Sequence, residues 1–289
     1  MNHDRSITPA TRICAVIGNP VAHSLSPALH NAAFRELGLD FIYVAFRVED
    51  VKNALTGMRA LENFRGMSVT IPHKIEAMKY IDEIAEADRS IGSINTIISD
   101  SGRLRGLGTD GPGALKALVD AGVDIDGRNL LMLGSGGAAR AIAFTLALKT
   151  GLGKLTILDI NENMLDGLAS DLRAGTPAAI DSAVLDERSL ARGMEQADII
   201  INCTPIGMHP KENVSLVPVG LFRPGQVVFD VVYTPLETKL LADARSSGLQ
   251  TVSGVEMFIN QAVLQFREFT GVEAPVEVMR RVVMERLRS

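Results

Sequence analysis

Short apolar runs alternate with amphipathic stretches along most of this chain. The runs at 13–17, 41–46, 67–71 and 92–98 are the length of strands. Between them, residues 28–38 carry apolar positions at helical spacing (Leu29, Ala32, Ala33, Leu37), residues 51–61 form a second helix, and 75–87 is amphipathic. Asp100-Ser-Gly102 is a hairpin-type turn leading into a returning strand over 103–107. The βα alternation then restarts, with strands over 130–133, 155–158, 178–183, 199–202 and 227–231, which predicts a parallel sheet. Two helices close the chain, 258–270 and 276–288. Their apolar faces (Ile259, Val263, Phe266; Val278, Val282, Val283) need a partner surface, and packing them on the first half makes that half discontinuous. The reading is therefore an α/β protein of two domains, one from 1–110 and 258–289, the other from 111–257, with a cleft between the lobes. Residues 1–10 read as a frayed, polar leader without a signal peptide.

The restart carries the most specific chemistry. The strand Asn129-Leu-Leu-Met-Leu133 runs directly into Gly134-Ser-Gly-Gly-Ala-Ala-Arg140 and an Ala-rich helix, so Gly134, Gly136 and Ala139 fill the G-x-G-x-x-A dinucleotide pattern. Gly134 lets the chain turn off the strand, and Gly136 lets a pyrophosphate approach the backbone at a helix N-terminus. This makes the second domain a Rossmann-type, doubly wound parallel sheet. The next strand ends on Asp159, where a carboxylate accepts hydrogen bonds from an adenosine ribose. Facing a 2′-phosphate at about 4 Å, it would meet a repulsion of about 1–4 kcal/mol. Ile160 and Asn161 follow, with no arginine to receive a phosphate, and the expectation is NAD rather than NADP.

Composition narrows the class. The 289 residues are 46% hydrophobic and 22% charged, as in a globular protein, and the net charge of −5 argues against general nucleic-acid affinity. No apolar run reaches membrane-spanning length, and a cytoplasmic location is expected. Cys14 and Cys203 lie within apolar runs and read as buried, reduced thiols. His23, His30, His73 and His209 share no metal spacing and read as loop or helix-face residues, and His3 falls in the leader; no metal site is expected. The sequence leaves oligomeric state open, a homodimer included.

Candidate ligand-facing residues cluster near strand ends. Thr70 and Lys74 flank Pro72, where the 67–71 strand stops, and ligands of α/β sheets collect beyond such ends. Asn95 interrupts an apolar strand and needs a buried partner or a ligand. Ser26 has a structural explanation as the cap of the helix that begins at Pro27, whereas Ser24 has none. Asp110 is either a helix cap or a chemical group.

Taken in order, Gly18-Asn-Pro-Val-Ala-His-Ser-Leu-Ser-Pro27, Ser68-Val-Thr-Ile-Pro-His-Lys74, Gly92-Ser-Ile-Asn-Thr96, Thr109-Asp-Gly111, the glycine loop, Asn202-Cys-Thr-Pro-Ile-Gly-Met208 and Gly254…Met257…Gln261-Ala262 resemble the shikimate dehydrogenase family, over about residues 12–283. The resemblance implies that Lys74 and Asp110 are the catalytic pair. It implies that Ser24, Ser26, Thr70, Asn95, Asp110 and Gln261, with Tyr233 nearby, hold the carboxylate and hydroxyls of a cyclohexene or cyclohexane acid. Gly134, Ser135, Gly136, Gly137, Ala138, Asp159, Asn161, Thr204, Met208, Val231 and Gly254 then form the cofactor side. The implied reaction is reversible hydride transfer at ring carbon 3, of shikimate, quinate or both. Oxidising an alcohol also releases a proton, which is assigned to the Lys74/Asp110 pair jointly.

Three departures from the family pattern stand out. Ser68 occupies a position that is often Asn, Gly108 precedes Thr-Asp where Asn is common, and Asp159-Ile-Asn161 replaces the Asn-Arg-Thr of NADP users. The first two leave an amino- or methyl-substituted ring acid open as the substrate. The third resembles the quinate-oxidising, NAD-preferring branch. A metabolite-sensing module without catalysis is the non-enzymatic alternative.

Overall fold

The computed structural model describes residues 7–288, so the leader reading for 1–6 and His3 lie outside the described residues. The chain divides into two compact units. One takes the described residues up to Thr109 together with those from Gln261; the other is Asp110–Asn260.

The first unit is built from β1 (Arg12–Gly18), α1 (Ser26–Glu36), β2 (Phe41–Arg47), α2 (Val51–Arg59), β3 (Phe64–Val69), β4 (Glu83–Ile84), α3 (Glu86–Ile91), β5 (Thr96–Asp100) and β6 (Arg103–Leu107). These strands form one sheet in the order β2-β1-β3-β5-β6-β4. The β1–β2 and β1–β3 pairs are parallel, and β3–β5 and β5–β6 are antiparallel. The β5–β6 hairpin closes through Ser101 and Gly102, both at positive φ, as a two-residue turn demands. The 75–87 stretch is not one helix. It makes a 3-10 turn at Glu76–Tyr80, whose Glu76 carboxylate accepts from Lys79 Nζ and the Tyr80 hydroxyl, and then passes into β4, which pairs with β6. A tertiary pairing overrides the local period there.

The second unit contains α4 (Asp110–Asp120), β7 (Asn129–Leu133), α5 (Gly137–Lys149), β8 (Lys154–Asp159), α6 (Glu162–Gly175), β9 (Ala179–Val184), α7 (Glu187–Gln196), β10 (Ile199–Asn202), β11 (Val227–Asp230), α8 (Lys239–Ser246) and β12 (Gln250–Ser253). Its six strands are all parallel, in the order β12-β11-β10-β7-β8-β9. Numbered within the unit this is 3-2-1-4-5-6 read from the β9 edge, the doubly wound arrangement, with its switch point between β7 and β10. Leu130 to Leu133 and Ile199 to Ile201 are buried throughout, as strands covered on both faces must be.

Helix α9 (Gly254–Thr270) starts in the second unit and ends in the first, four residues earlier than the apolar pattern implies, and α10 (Val276–Arg288) follows. In the first unit α10 packs on α1 and buries Met279 and Val283. The Arg65 guanidinium on β3 donates to the carbonyls of Phe269 (2.9 Å), Glu268 (3.3 Å) and Ser99 (2.9 Å), tying the end of α9 to the sheet.

Candidate functional site

In the first unit, β1 and β3 end side by side, and Thr70 still donates its N–H to the Ile17 carbonyl (2.9 Å). The chain then leaves the sheet, ending β3 two residues before the position the sequence suggests. His73 N–H returns to the Thr70 carbonyl, and a His73 ring nitrogen lies 2.7 Å from the Val48 carbonyl. His73 is thus a buried loop residue whose ring is held by the backbone around it. Lys74 is half-buried, and its carbonyl accepts from Ile94 N–H (3.0 Å), which fixes the lysine backbone beside the segment leading to Asn95.

Asn95 is 3% exposed, and its partners are in place. Its Oδ1 accepts from Thr109 N–H (2.7 Å), and its Nδ2 donates to Thr109 Oγ1 (2.9 Å) and Gln261 Oε1 (3.4 Å). Asn95, Thr109 and Gln261 thus form one polar cluster although they are far apart in sequence. Sequence reasoning had not given Thr109 a role; its signal was a polar residue between the end of an apolar strand and Asp110. Ser26 is the first residue of α1 rather than its cap. Leu25 stands at the cap without a side-chain hydrogen bond, and Ser24 Oγ accepts from Ser26 N–H (3.3 Å). The Ser26 hydroxyl is therefore not spent on capping. His30, placed by sequence on a helix face, is wholly buried among Tyr43, Phe34, Phe266 and Phe269, and burial pushes its pKa down to about 3.

In the second unit, every parallel strand ends at the same edge, which collects the loops after β7, β8, β10, β11 and β12. Gly134 turns off β7 at φ +102°, and a Cβ there would lie 3.1 Å from the backbone of Cys203 and from Thr204 Cγ2. The glycine is required by the close approach of the β7 and β10 loops at the switch point. Gly136 is the cap of α5 and makes no side-chain bond, and nothing lies within 4 Å of where its Cβ would be. Helix α5 begins at the next residue, so its N-terminus follows directly on this open position.

Asp159 faces its own chain. One carboxylate oxygen accepts from Ser135 N–H and Ser135 Oγ–H (both 2.6 Å), and the other from Asn161 N–H (2.9 Å). Asn161, not Asp159, caps α6, accepting from Met164 N–H. Thr204 turns back onto Asn202 Oδ1 (2.7 Å), Met208 is exposed, and Val231 N–H bonds to the Asn202 carbonyl (3.0 Å). Gly254 begins α9 so close to Val231 and Val232 that a Cβ would lie 2.5 Å from both carbonyl oxygens. Tyr233 stacks on Phe258 (4.4 Å between ring centres), and burial raises its phenol pKa. Asp110 opens α4 and is buried, with Gly111 seated against Thr145 and Ala141 of α5. Burial pushes both free cysteine thiols up, so neither is a ready nucleophile. Among the described residues no cluster of His, Cys, Asp or Glu could hold a metal, and no helix is long and apolar enough to cross a membrane.

Residues 16–97 match the shikimate dehydrogenase substrate binding domain, and residues 254–284 match the shikimate 5′-dehydrogenase C-terminal domain. A relative from Symbiobacterium thermophilum, named shikimate dehydrogenase (NADP(+)), is 43% identical over 282 residues, covering 96% of this chain and 95% of its own. The chain belongs to the shikimate dehydrogenase family. It is thereby an oxidoreductase. A shikimate dehydrogenase solved in complex with NADP+ superimposes with a TM-score of 0.88 at 38% identity, over 98% of both chains. The enzyme from Listeria monocytogenes, solved with shikimate and NAD, also gives 0.88, at 35% identity over 96% of this chain and 98% of its own.

These findings correct the cofactor expectation. The Symbiobacterium relative is named for NADP(+) and one superimposable structure holds NADP+, which points to NADP rather than NAD. The charge argument assumed a carboxylate turned toward the ribose. In the structure, three donors from Ser135 and Asn161 surround the Asp159 carboxylate, so its charge serves the loop's own geometry.

Proposed function

We propose that this protein interconverts shikimate and 3-dehydroshikimate with NADP as the hydride partner. The observation that carries the reading is the match along 96% of the chain to a shikimate dehydrogenase (NADP(+)), together with the buried Asn95–Thr109–Gln261 cluster. In this reading Ser24, Ser26, Thr70, Asn95 and Gln261 bind the carboxylate and hydroxyls of the ring, with Tyr233 beside it. Lys74 and Asp110 hold and move the proton of the hydroxyl on ring carbon 3. Gly134 to Ala138, with Thr204, Met208, Val231 and Gly254, hold the dinucleotide, whose pyrophosphate lies on the first amides of α5. When bound, NADP+ supplies the acceptor for the hydride leaving that carbon. Residues 1–110 and 258–289 form the substrate-binding and catalytic domain, and residues 111–257 the dinucleotide-binding domain.

The test is NADPH formation from shikimate by purified, folded protein, with quinate and an amino-substituted ring acid as parallel arms. Turnover with shikimate and NADP+ supports the reading. No turnover with shikimate, or turnover only with another ring acid, overturns it.

A further inference from the structure

The first unit contains a chain of buried hydrogen bonds that all run the same way. Tyr43 Oη donates to Ser68 Oγ at 2.6 Å, and Ser68 Oγ donates to Gln265 Oε1 at 2.7 Å. Gln265 Nε2 donates to Thr96 Oγ1 at 3.0 Å and to the Asn95 carbonyl at 3.3 Å. Thr96 Oγ1 donates to Asn95 Oδ1 at 3.2 Å. Tyr43, Ser68, Gln265, Thr96 and Asn95 are all at most 6% exposed. Each hydroxyl has a single proton, so once the first donor is set, every later group has one direction left. Burial raises the Tyr43 phenol pKa, so the phenol stays protonated and always donates. Its ring is held by stacking on His30 (4.4 Å, 8° between planes).

We propose that Tyr43, Ser68 and Gln265 are positioning residues forming a one-way relay that fixes the orientation of the Asn95 carboxamide and so the hydroxyl pattern the substrate site accepts. The relay delivers a donor to Asn95 Oδ1, the oxygen that also accepts from Thr109 N–H and lies 3.2 Å from Thr109 Oγ1. The Nδ2 end must then turn to Thr109 Oγ1 and Gln261 Oε1. Gln261 in turn presents its carbonyl to the cluster, 3.4 Å from both Asn95 Nδ2 and Thr109 Oγ1. Two amides whose ends are assigned discriminate ring hydroxyls by donor and acceptor placement, because a mismatched partner leaves a buried polar group unsatisfied. Ser68 is the node that gives this chain its own version of the site: its hydroxyl accepts one proton and donates another, as a polarity relay requires. The inference rests on the proposed substrate role of Asn95 and Gln261.

Gln265→Glu keeps the shape of Gln265 but replaces the donating end with an acceptor, which reverses the relay at one node. Ser68→Ala interrupts it, and Ser68→Thr restores a hydroxyl. The expected result is a KM for shikimate raised about tenfold in Gln265→Glu and Ser68→Ala, with kcat within about threefold and the KM for NADP unchanged, and recovery in Ser68→Thr. Equal KM in wild type and Gln265→Glu, or a fall in kcat and KM for both substrates together, would overturn the relay while leaving the proposed reaction intact. The Asn95 side-chain amide signals in 15N-resolved NMR spectra, assigned by their loss in Asn95→Asp, supply a readout that needs no turnover. They should shift and exchange faster with solvent in both interrupting variants, and unshifted signals would refute the relay even if wild-type protein proved inactive on shikimate.

Discussion

The two units solve the problem of holding a polar ligand in different ways. In the second, the sheet is wholly parallel, its central strands are largely apolar, and the edge where ligands collect is shaped by backbone: Gly134 at positive φ, Gly136 beside open space, and the first amides of α5. In the first, the sheet is mixed, and polar side chains from β2, β3, β5 and α9 are buried and bonded to one another. A phosphate, which any row of amides can satisfy, suits the first device. A ring with several hydroxyls must be told apart from its analogues and needs assigned donors and acceptors. The contrast predicts that substitutions in the second unit act through backbone geometry and those in the first through hydrogen-bond identity.

The largest effect is expected at Lys74. Lys74→Ala removes the proposed proton carrier while leaving the strand-end backbone that bonds Ile94. Turnover should fall by about 10²–10⁴-fold, with little change in the KM for shikimate. A parallel loss of substrate affinity without a fall in kcat would move Lys74 from chemistry to binding. At Gly134, Gly134→Ala places a Cβ at 3.1 Å from its neighbours and forces a non-glycine residue to φ +102°. Thermal unfolding should report a loss of about 1–3 kcal/mol, with weaker dinucleotide binding, whereas Gly136→Ala, in open space, should cost binding and almost no stability. Equal stability losses at both positions would remove the distinction drawn between turn and approach.

The same contrast explains what the sequence disclosed. The second unit was legible because backbone solutions leave marks in sequence: glycines at fixed spacing, a strand just before them and a helix just after. Its parallel, doubly wound character follows from repeated βα units, while the strand order came from the fold. The polar interior of the first unit was legible only in part. Asn95 announced itself as a polar residue inside an apolar strand, but its partners Thr109, Gln261 and Gln265 lie 14 or more residues away, beyond any local period. Gln265 follows Gln261 by one helical turn on α9, a spacing that places both on one face, yet nothing local separates a buried glutamine from a solvated one. Tyr43 read as an ordinary strand residue for the same reason, and Ser68 stood out only as a departure from the family pattern, with no partner assigned. Asp159 misled because a charge in sequence carries no direction, and its partners Ser135 and Asn161 became visible only in the fold.

A smaller effect on activity is expected at the return of α9 to the first unit. Arg65→Met keeps much of the apolar stem but leaves the Phe269, Glu268 and Ser99 carbonyls without the guanidinium. A loss of about 2–3 kcal/mol in urea unfolding is expected, with the KM for NADP unchanged, because the clamp joins elements of the first unit alone. Weakened dinucleotide binding would mean that the first unit's stability is coupled to the second unit's loop.

The gentlest test concerns the one strongly shifted carboxyl in the second unit. Asp230 is fully buried at the end of β11, where it accepts from Thr238 Oγ1 (2.6 Å), Asn202 Nδ2 (2.9 Å) and Val232 N–H (3.1 Å). Burial outweighs these donors and pushes its pKa up from 3.8 to about 6. The unfolded chain releases this proton near pH 4 and the folded chain holds it to about pH 6, so across that window the folded state binds more protons. This group's contribution to stability therefore falls as pH rises from about 4 to about 6, by at most about 3 kcal/mol, and is flat above. Asp230→Asn cannot titrate, and its amide can accept at one end while donating to Thr238 Oγ1 at the other. The stability difference between wild type and variant, measured by urea unfolding at several pH values, should shift toward the variant as pH rises through that window. A difference independent of pH would mean that the three donors already balance the burial, and that the second unit too can hold a buried polar group by side-chain bonding.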